Sequence, residues 1–389
     1  MSVNNMSFEQ SAALLNAVHE QVTGQTQVAP IDESSFVSVA TTMLKNGYDP
    51  IIAAIGQVIG RTIFSQRAYY GKFKSIMMDN QQWGSVTRKL AVVDKDFEDS
   101  AEFMLVDGEA IDHYKVNKPE ILQTNFYGSN IFQKSLTTFR DQLDNAMRSS
   151  SEWGSFLAMV AQNMADMIEQ NNETMKRMTL ANFVGGKIAA DNGVIHLLTE
   201  YKEATGLDLD STTVMQPANY PAFIQWVYAR IEQLSNLMTE RSQKFQINVE
   251  GKAIQRHTPR ADQRVYLNSL ALAEINARVL ADTYHENFLR FATTEGVNYW
   301  QAIDNPYSLS VVPSYMDTTG EIITATEPVE TDCLFGVIFD RDALGLTIFN
   351  QVTATTPMNA RGLYFNTWYS WQIRWFNDFS EKGIVLLLD

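Results

Sequence analysis

The sequence predicts an α+β fold, and three observations carry that prediction. Ser149 to Lys187 (SSSEWGSFLAMVAQNMADMIEQNNETMKRMTLANFVGGK) has the apolar spacing of one very long helix. Its flanks do not continue that pattern: short segments broken by acidic turns precede it, and alternating helix-like and strand-like pieces follow. The chain then closes on an aromatic block whose last apolar run suits a buried strand.

The totals set outer bounds. A chain of 389 residues can bury a substantial core and hold two or three domains. Hydrophobic content of 45% with 19% charged residues describes a folded protein. A net charge of -15 argues against binding nucleic acid by neutralising phosphates; it suits the wall of a container that must not adhere to a packed polyanion. One cysteine, Cys333, excludes an internal disulfide framework and a CxxC zinc site. Met1 to Gln10 lacks a basic segment leading into an apolar one, and no apolar run reaches membrane-spanning length. The expectation is a soluble, intracellular chain without a membrane partner.

Residues 1–65 read as an N-terminal arm and first helix. Short helices are expected at Phe8 to Val22 and Phe36 to Leu44, with Ala29 to Ser35 as loop and too few apolar residues to pack alone. Asp49-Pro50 then starts a helix with an apolar face at Ile51, Ile55, Ile59 and Ile63. Residues 66–125 read as an extended ribbon. Tyr70 to Met77 looks strand-like, acidic turn clusters follow at 94–99, and Asp107-Gly108 is a hairpin-type turn. Such a ribbon is marginal alone and needs a partner surface.

Residues 126–189 lead into the long helix. Ser149 and Glu152 form a capping box, and the stripe runs Trp153, Leu157, Val160, Met164, Met167, Met175 and Met178. Gly185-Gly186 is expected to end the helix after roughly 35 residues, about 50 Å. Residues 190–350 read as mixed α/β. Helices are expected from Pro221, with Ile224, Val227, Tyr228, Ile231, Leu234 and Met238 on one face, and from Leu270 to Tyr284. Strands are expected at Phe245 to Val249, Val265 to Leu267, Leu334 to Phe339 and Leu346 to Phe349, with surface loop over 304–332. Residues 351–389 form the returning segment.

Catalytic constellations are thin. His19, His113, His196, His257 and His285 are scattered, and no HExxH, GxSxG, Walker or GxGxxG pattern occurs. The pairs Asp94/Asp96, Asp208/Asp210 and Asp340/Asp342 could in principle flank a glycosidic bond, but each sits beside turn residues, where Asp bonds nearby backbone. Cys333 lacks a positioned base. The aromatics Tyr364, Phe365, Trp368, Tyr369, Trp371, Trp375 and Phe376 fit a core or a subunit contact better than a base-stacking platform, since only Arg374 interrupts them. No residue is assigned to catalysis, a cofactor or a metal.

The order of elements resembles the major capsid protein of tailed bacteriophages, with its Johnson (HK-97-type) fold. Specific strings are similar to the phi-29-like short-tailed branch: GYDP at 47–50, VVDKDFED at 92–99, KVNKPEILQTNFYGSN at 115–130, DMIEQ at 166–170, ANFVGGKI at 181–188, VNYW at 297–300, NARGLYFNTWYSW at 359–371 and DFSEKGIVLLLD at 378–389. The resemblance implies that residues 66–125 are an E-loop reaching onto the next subunit. It makes Ser149 to Lys187 the spine helix of the peripheral domain and 190–350 the axial domain, with the terminal strand returning to the peripheral domain. No immunoglobulin-like decoration is expected after that strand. It further implies self-assembly as hexamers and pentamers into an icosahedral virion shell around double-stranded DNA, bound without sequence specificity. Scaffolding, portal and minor capsid proteins are the implied partners. Trp83, Phe97, Phe103 and Asp107 are the expected intersubunit contacts. Two other readings are weighed: an encapsulin-type nanocompartment shell, which shares the fold, and an acidic-pair hydrolase, which would lose turnover on Asp208→Asn.

Overall fold

A computed structural model describes residues 8–24, 30, 32–45, 47–63, 71–78, 87–93, 114, 116, 118–126, 129–248, 252, 254–278, 293–317 and 321–389. Three helices open it: α1 (Phe8–Thr23), α2 (Glu33–Lys45) and α3 (Tyr48–Ile63). Strands β1 (Thr87–Val92), β2 (Ile121–Phe126) and β3 (Asn130–Phe139) follow, then α4 (Arg140–Ala146) and α5 (Ser150–Ala189).

The α5 helix is 40 residues long, about 60 Å at 1.5 Å per residue. Ser149 has extended backbone and its Oγ accepts from the Glu152 amide at 3.2 Å, which satisfies one of the helix's orphan donors. Only this half of the expected capping box forms. The next amide, that of Ser150, donates instead to Glu33 Oε1 at 2.6 Å, tying the start of α5 to α2. Trp153, Leu157, Val160, Met164 and Met175 face the core as their spacing predicts. Met178 does not; it is exposed, and the buried stripe continues through Leu180, Phe183 and Val184.

Gly185-Gly186 does not end the helix, which runs on to Ala189 and closes with Asp191 in the left-handed region (φ 48°). These glycines serve close packing. A Cβ on Gly185 would lie 2.5 Å from Val311 Cγ1, and one on Gly186 2.6 Å from both Phe379 Cζ and Tyr315 Cβ. At the same end Lys187 is fully buried, donating to Phe245 O at 2.9 Å and Asn192 Oδ1 at 3.0 Å. Burial pushes its pKa down to about 7.

The second half comprises β4 (Val194–His196), α6 (Leu197–Thr205), α7 (Tyr220–Thr239), β5 (Gln263–Asn268), α8 (Ser269–Arg278) and β6 (Thr293–Val297). After these come β7 (Leu309–Val311), β8 (Ser314–Met316), β9 (Ile322–Thr324), β10 (Val329–Thr331), β11 (Leu334–Asp340), β12 (Leu344–Thr355), β13 (Tyr364–Asn377) and β14 (Gly383–Leu387). Two sheets organise the molecule. One is three-stranded, β12-β13-β3, all antiparallel; the other is five-stranded and mixed, β4-β14-β11-β5-β6. β11 and β12 flank the Asp340-Arg341-Asp342 turn as expected but do not pair; the turn is a corner between the two sheets.

The five-stranded sheet is buried on both faces. Val337, Phe339, Val385 and Leu387 join α1 to α3, α5 and the three-stranded sheet in one core. Ile338, Ile384 and Leu386 join α6, α7 and α8 in the other. A strand covered on both sides reads as an unbroken apolar run, which is why Gly383 to Leu387 has no alternation. This strand pairs with β11 and β4.

Other expectations need correction. α1 and α2 pack on their own chain: Leu15, Val18, Phe36, Ala40 and Met43 are fully buried in the first core. Few apolar residues suffice because α3 and α5 cover them. Residues 74–76 form a 3₁₀ turn, and only Met77 makes a β-bridge, to Leu346. Phe245 adopts left-handed backbone (φ 70°), so 245–248 is not a strand. Residues 309–331 hold two short antiparallel ribbons, β7–β10 and β8–β9, where a surface loop was expected; Leu309 and Met316 anchor them inside. In β13, alternate residues Phe365, Tyr369, Trp371 and Ile373 face the core.

Replacing Gly186 with Ala tests the close packing. Helix propensity alone favours Ala by about 1 kcal/mol, yet overpacking against Phe379 and Tyr315 costs typically 1–3 kcal/mol. The expected result is a lower melting temperature, measured by calorimetry.

Candidate interaction surface at the ribbon base

Within residues 66–125, read from the sequence as a ribbon, the described segments attach to the body at two places. At the entry, consecutive backbone amides are held by carboxylates: Gly71 N donates to Glu169 Oε1 at 3.0 Å, Lys72 N to Glu173 Oε2 at 3.3 Å and Phe73 N to Glu295 Oε1 at 2.7 Å. Two of these acids lie on α5 and the third on β6. Phe73, in left-handed backbone (φ 61°), packs edge-on against Tyr266 at 5.2 Å beneath the Arg177 guanidinium. Such charge-assisted bonds are stronger than neutral ones, so residues 71–73 are held at a fixed point on α5 and β6.

At the far attachment, β1 and β2 pair antiparallel, Thr87 opposite Phe126 through Val92 opposite Ile121. Side chains alternate faces along a strand. One face meets the body: Leu122 is buried, Phe126 lies 4.9 Å from the Phe376 ring, and Lys89 reaches Asp378 Oδ2 at 2.5 Å and Glu381 Oε1. Arg256 Nη1 stands 3.5 Å from the same Glu381 oxygen. Burial works against the charge on Lys89, but Asp378 and then Glu381 hold its pKa above the ordinary lysine value.

The opposite face carries Leu90, Val92 and Ile121, each about 60% exposed. Tyr114 and Val116, in the same ribbon, are exposed too. These residues were not singled out from the sequence, although the alternation in Arg88-Lys89-Leu90-Ala91-Val92 was a signal for a two-faced strand. The expected contacts Trp83, Phe97, Phe103 and Asp107 lie outside the described residues. Between β2, α5 and the β7–β9 region runs a groove of about 1060 Å³ lined by Phe126, Met178, Tyr299, Val311, Ile322 and Trp375.

The residues weighed for chemistry have structural settings. Asp210 accepts from the amides of Thr212 (2.9 Å) and Thr213 (2.7 Å), a turn that holds its carboxyl below the usual range. Asp340 accepts from Thr258 Oγ1 at 2.7 Å and the Asp342 amide at 2.8 Å, while burial raises its pKa. Asp94, Asp96 and His285 lie outside the described residues. Cys333 is half-buried, and burial pushes its thiol up. Among the described residues no group of three or more His, Cys, Asp or Glu is placed to hold a metal ion. Nor is any described helix long and apolar enough to cross a membrane.

Lys89→Met leaves Asp378 without this counter-ion and Glu381 with Arg256 alone. Breaking a buried pair in this way costs about 3 kcal/mol, read as a lower urea midpoint and faster hydrogen exchange at the β1 and β2 amides. Because the folded-state pKa of Lys89 is raised, its contribution is full below the ordinary lysine value and is lost as pH rises through the raised one. The midpoints of wild type and variant therefore converge only in strong alkali.

Comparison with known proteins supplies the context for this surface. No curated protein matches the chain by sequence. Among solved structures, a chain in the capsid structure of Staphylococcus phage Andhra superposes with TM-score 0.54 at 11% identity, covering 83% of this chain and 86% of that one. A chain in the structure of the head fiber and inner core protein gp22 of native bacteriophage P68 gives TM-score 0.54 at 10% identity, covering 82% and 85%. At such identities the likeness is one of fold. The family model for the Phi29-like phage major capsid protein, in contrast, matches residues 14–378. With that match over most of its length, the chain belongs to the Phi29-like phage major capsid protein family.

Proposed function

We propose that this major capsid protein self-assembles as hexamers and pentamers into the icosahedral shell that encloses a phage double-stranded DNA genome. The observation that carries the reading is the family match over 14–378; the exposed outer face of β1–β2, with Leu90, Val92 and Ile121, supports it. The ribbon at 66–125 is the E-loop, residues 126–189 the peripheral domain around α5, and 190–350 the axial domain. Residues 351–389 return beside α5 through β13. The protein acts by association and not by turnover. Surface that one subunit cannot cover is buried against the next, so stability and assembly are linked.

Assembly takes place in the cytoplasm of the bacterial host, with a scaffolding protein, a portal and minor capsid proteins as the further partners. The DNA is enclosed without sequence-specific contact, in keeping with the net charge of -15. Neither the encapsulin reading nor the hydrolase reading draws on a specific observation: the family match points to phages, and the Asp210 and Asp340 carboxylates are engaged in local turns.

The test is light scattering and electron microscopy on the purified chain, alone and with a co-encoded scaffold. Closed shells or six- and five-fold oligomers are expected. A monomer under every condition, even beside scaffold, would overturn the reading. In the double variant Phe97→Ser/Phe103→Ser, the five-stranded sheet and its helices stay folded by circular dichroism while closed shells are lost; normal particles would remove the ribbon tip from the assembly contacts.

A further inference from the structure

The three-stranded sheet has one face on α3 and α5 and another turned away from the body. The register of β3, β13 and β12 defines that outer face. It runs over alternate residues from Ile131 to Thr137, from Asn366 to Gln372, and from Asn350 to Ala354. None of these residues is charged; the same alternation in β13 continues to Arg374, which is buried.

At its centre is Trp368. Its cross-strand neighbours are Ala354 and Ser135, both small, so the indole stands proud of the sheet and is 39% exposed. Ile131 and Val352, on the two flanking strands, are more than half exposed. Some polar groups of the face already satisfy each other: Thr137 Oγ1 donates to Asn366 Oδ1 at 2.8 Å, and Gln372 Nε2 to Ser129 Oγ at 2.7 Å. Covering such a face costs little desolvation, because its donors bring their acceptors with them. A protruding aromatic among small neutral residues is the usual form of an interface anchor.

We propose that the uncharged outer face of this sheet, centred on Trp368, is a contact surface for a second copy of this chain. The inference rests on the shell-subunit reading and names a surface for it apart from the ribbon. Charge selects the occupant. Nucleic acid is excluded, since the face offers no Lys or Arg to phosphates. Two copies at -15 each repel over most orientations and can approach closely where neither presents charge. Extent sets the strength. A face about 25 Å by 15 Å falls short of the about 800 Å² per partner of a stable isolated complex. The contact therefore holds only alongside others, within an assembled shell.

Two measurements on the full chain test the proposal. The first is hydroxyl-radical footprinting of Trp368 in unassembled protein and in purified shells. Oxidation is expected to fall roughly fivefold or more on assembly, as for a desolvated anchor; unchanged oxidation overturns the proposal whatever else is found. The second is Ser135→Glu, which sets a carboxylate beside Trp368 on an exposed strand. With an unchanged melting temperature, the yield of closed shells is expected to fall about tenfold or more, since a charge buried without a counter-ion is strongly disfavoured. Shells at wild-type yield from a folded Ser135→Glu chain also overturn it. Failure of the wild-type chain to assemble at all would instead refute the shell reading itself, so the two failures are distinguishable.

Discussion

Helical stability in a folded protein comes mostly from packing an apolar face, and the architecture follows from the need to cover the apolar stripe of the 40-residue α5. The helices α1, α2 and α3 and the strands β7, β8, β12, β13 and β14 all pack against it. Each of these elements is short or thin by itself. They become one body because they share the same rod. The tightest point is at Gly185-Gly186, where the backbone of α5 meets Val311, Tyr315 and Phe379 with no room for a Cβ.

Several of the charged groups inside this body hold the segments at 71–73 and 87–92. Glu169 and Glu173 on α5, with Glu295 on β6, take the amides of Gly71, Lys72 and Phe73. Lys89 ties the other attachment to Asp378 and Glu381, in the turn between β13 and β14. Buried ion pairs add little net stability compared with apolar packing, but their geometry is exacting and losing one partner is costly. Such contacts suit a projection whose direction matters. The inner face of β1–β2 is committed to the body of the chain, and its outer face is exposed.

For a shell protein, contacts must be many and individually modest. A subunit with net charge -15 discourages random association, and neutral or apolar patches then determine where copies meet. The outer face of β1–β2 and the outer face of the three-stranded sheet are the two surfaces proposed for such contacts, on opposite sorts of element. One is a two-stranded projection carrying exposed Leu90 and Val92; the other is a broad sheet with a single raised indole.

Much of the fold was legible because some signals are local. Helical spacing marked α5 and α7 with most of their buried apolar residues, Ser149 capped where its hydroxyl can reach the amide of Glu152, and the strand nature of β11 and β14 followed from unbroken apolar runs. The family strings at 47–50, 181–188 and 359–371 are local too, and they led to the role. What the sequence could not determine depends on partners distant in the chain. Gly185-Gly186 reads as a helix end until Phe379 and Val311 are seen against it. Residues 8–45 read as an arm because their few apolar side chains are enough only once α3 and α5 cover them. Asp340-Arg341-Asp342 reads as a turn between two strands, but which strands pair is not local: β11 finds β5 and β14 while β12 finds β13. The two attachments of the ribbon join residues about a hundred or more positions apart, from Gly71 to Glu169 and from Lys89 to Asp378. Local propensity and periodicity are written in neighbouring residues; which surfaces meet, and which are left bare for a second copy, is decided by the energy of packing the whole chain at once.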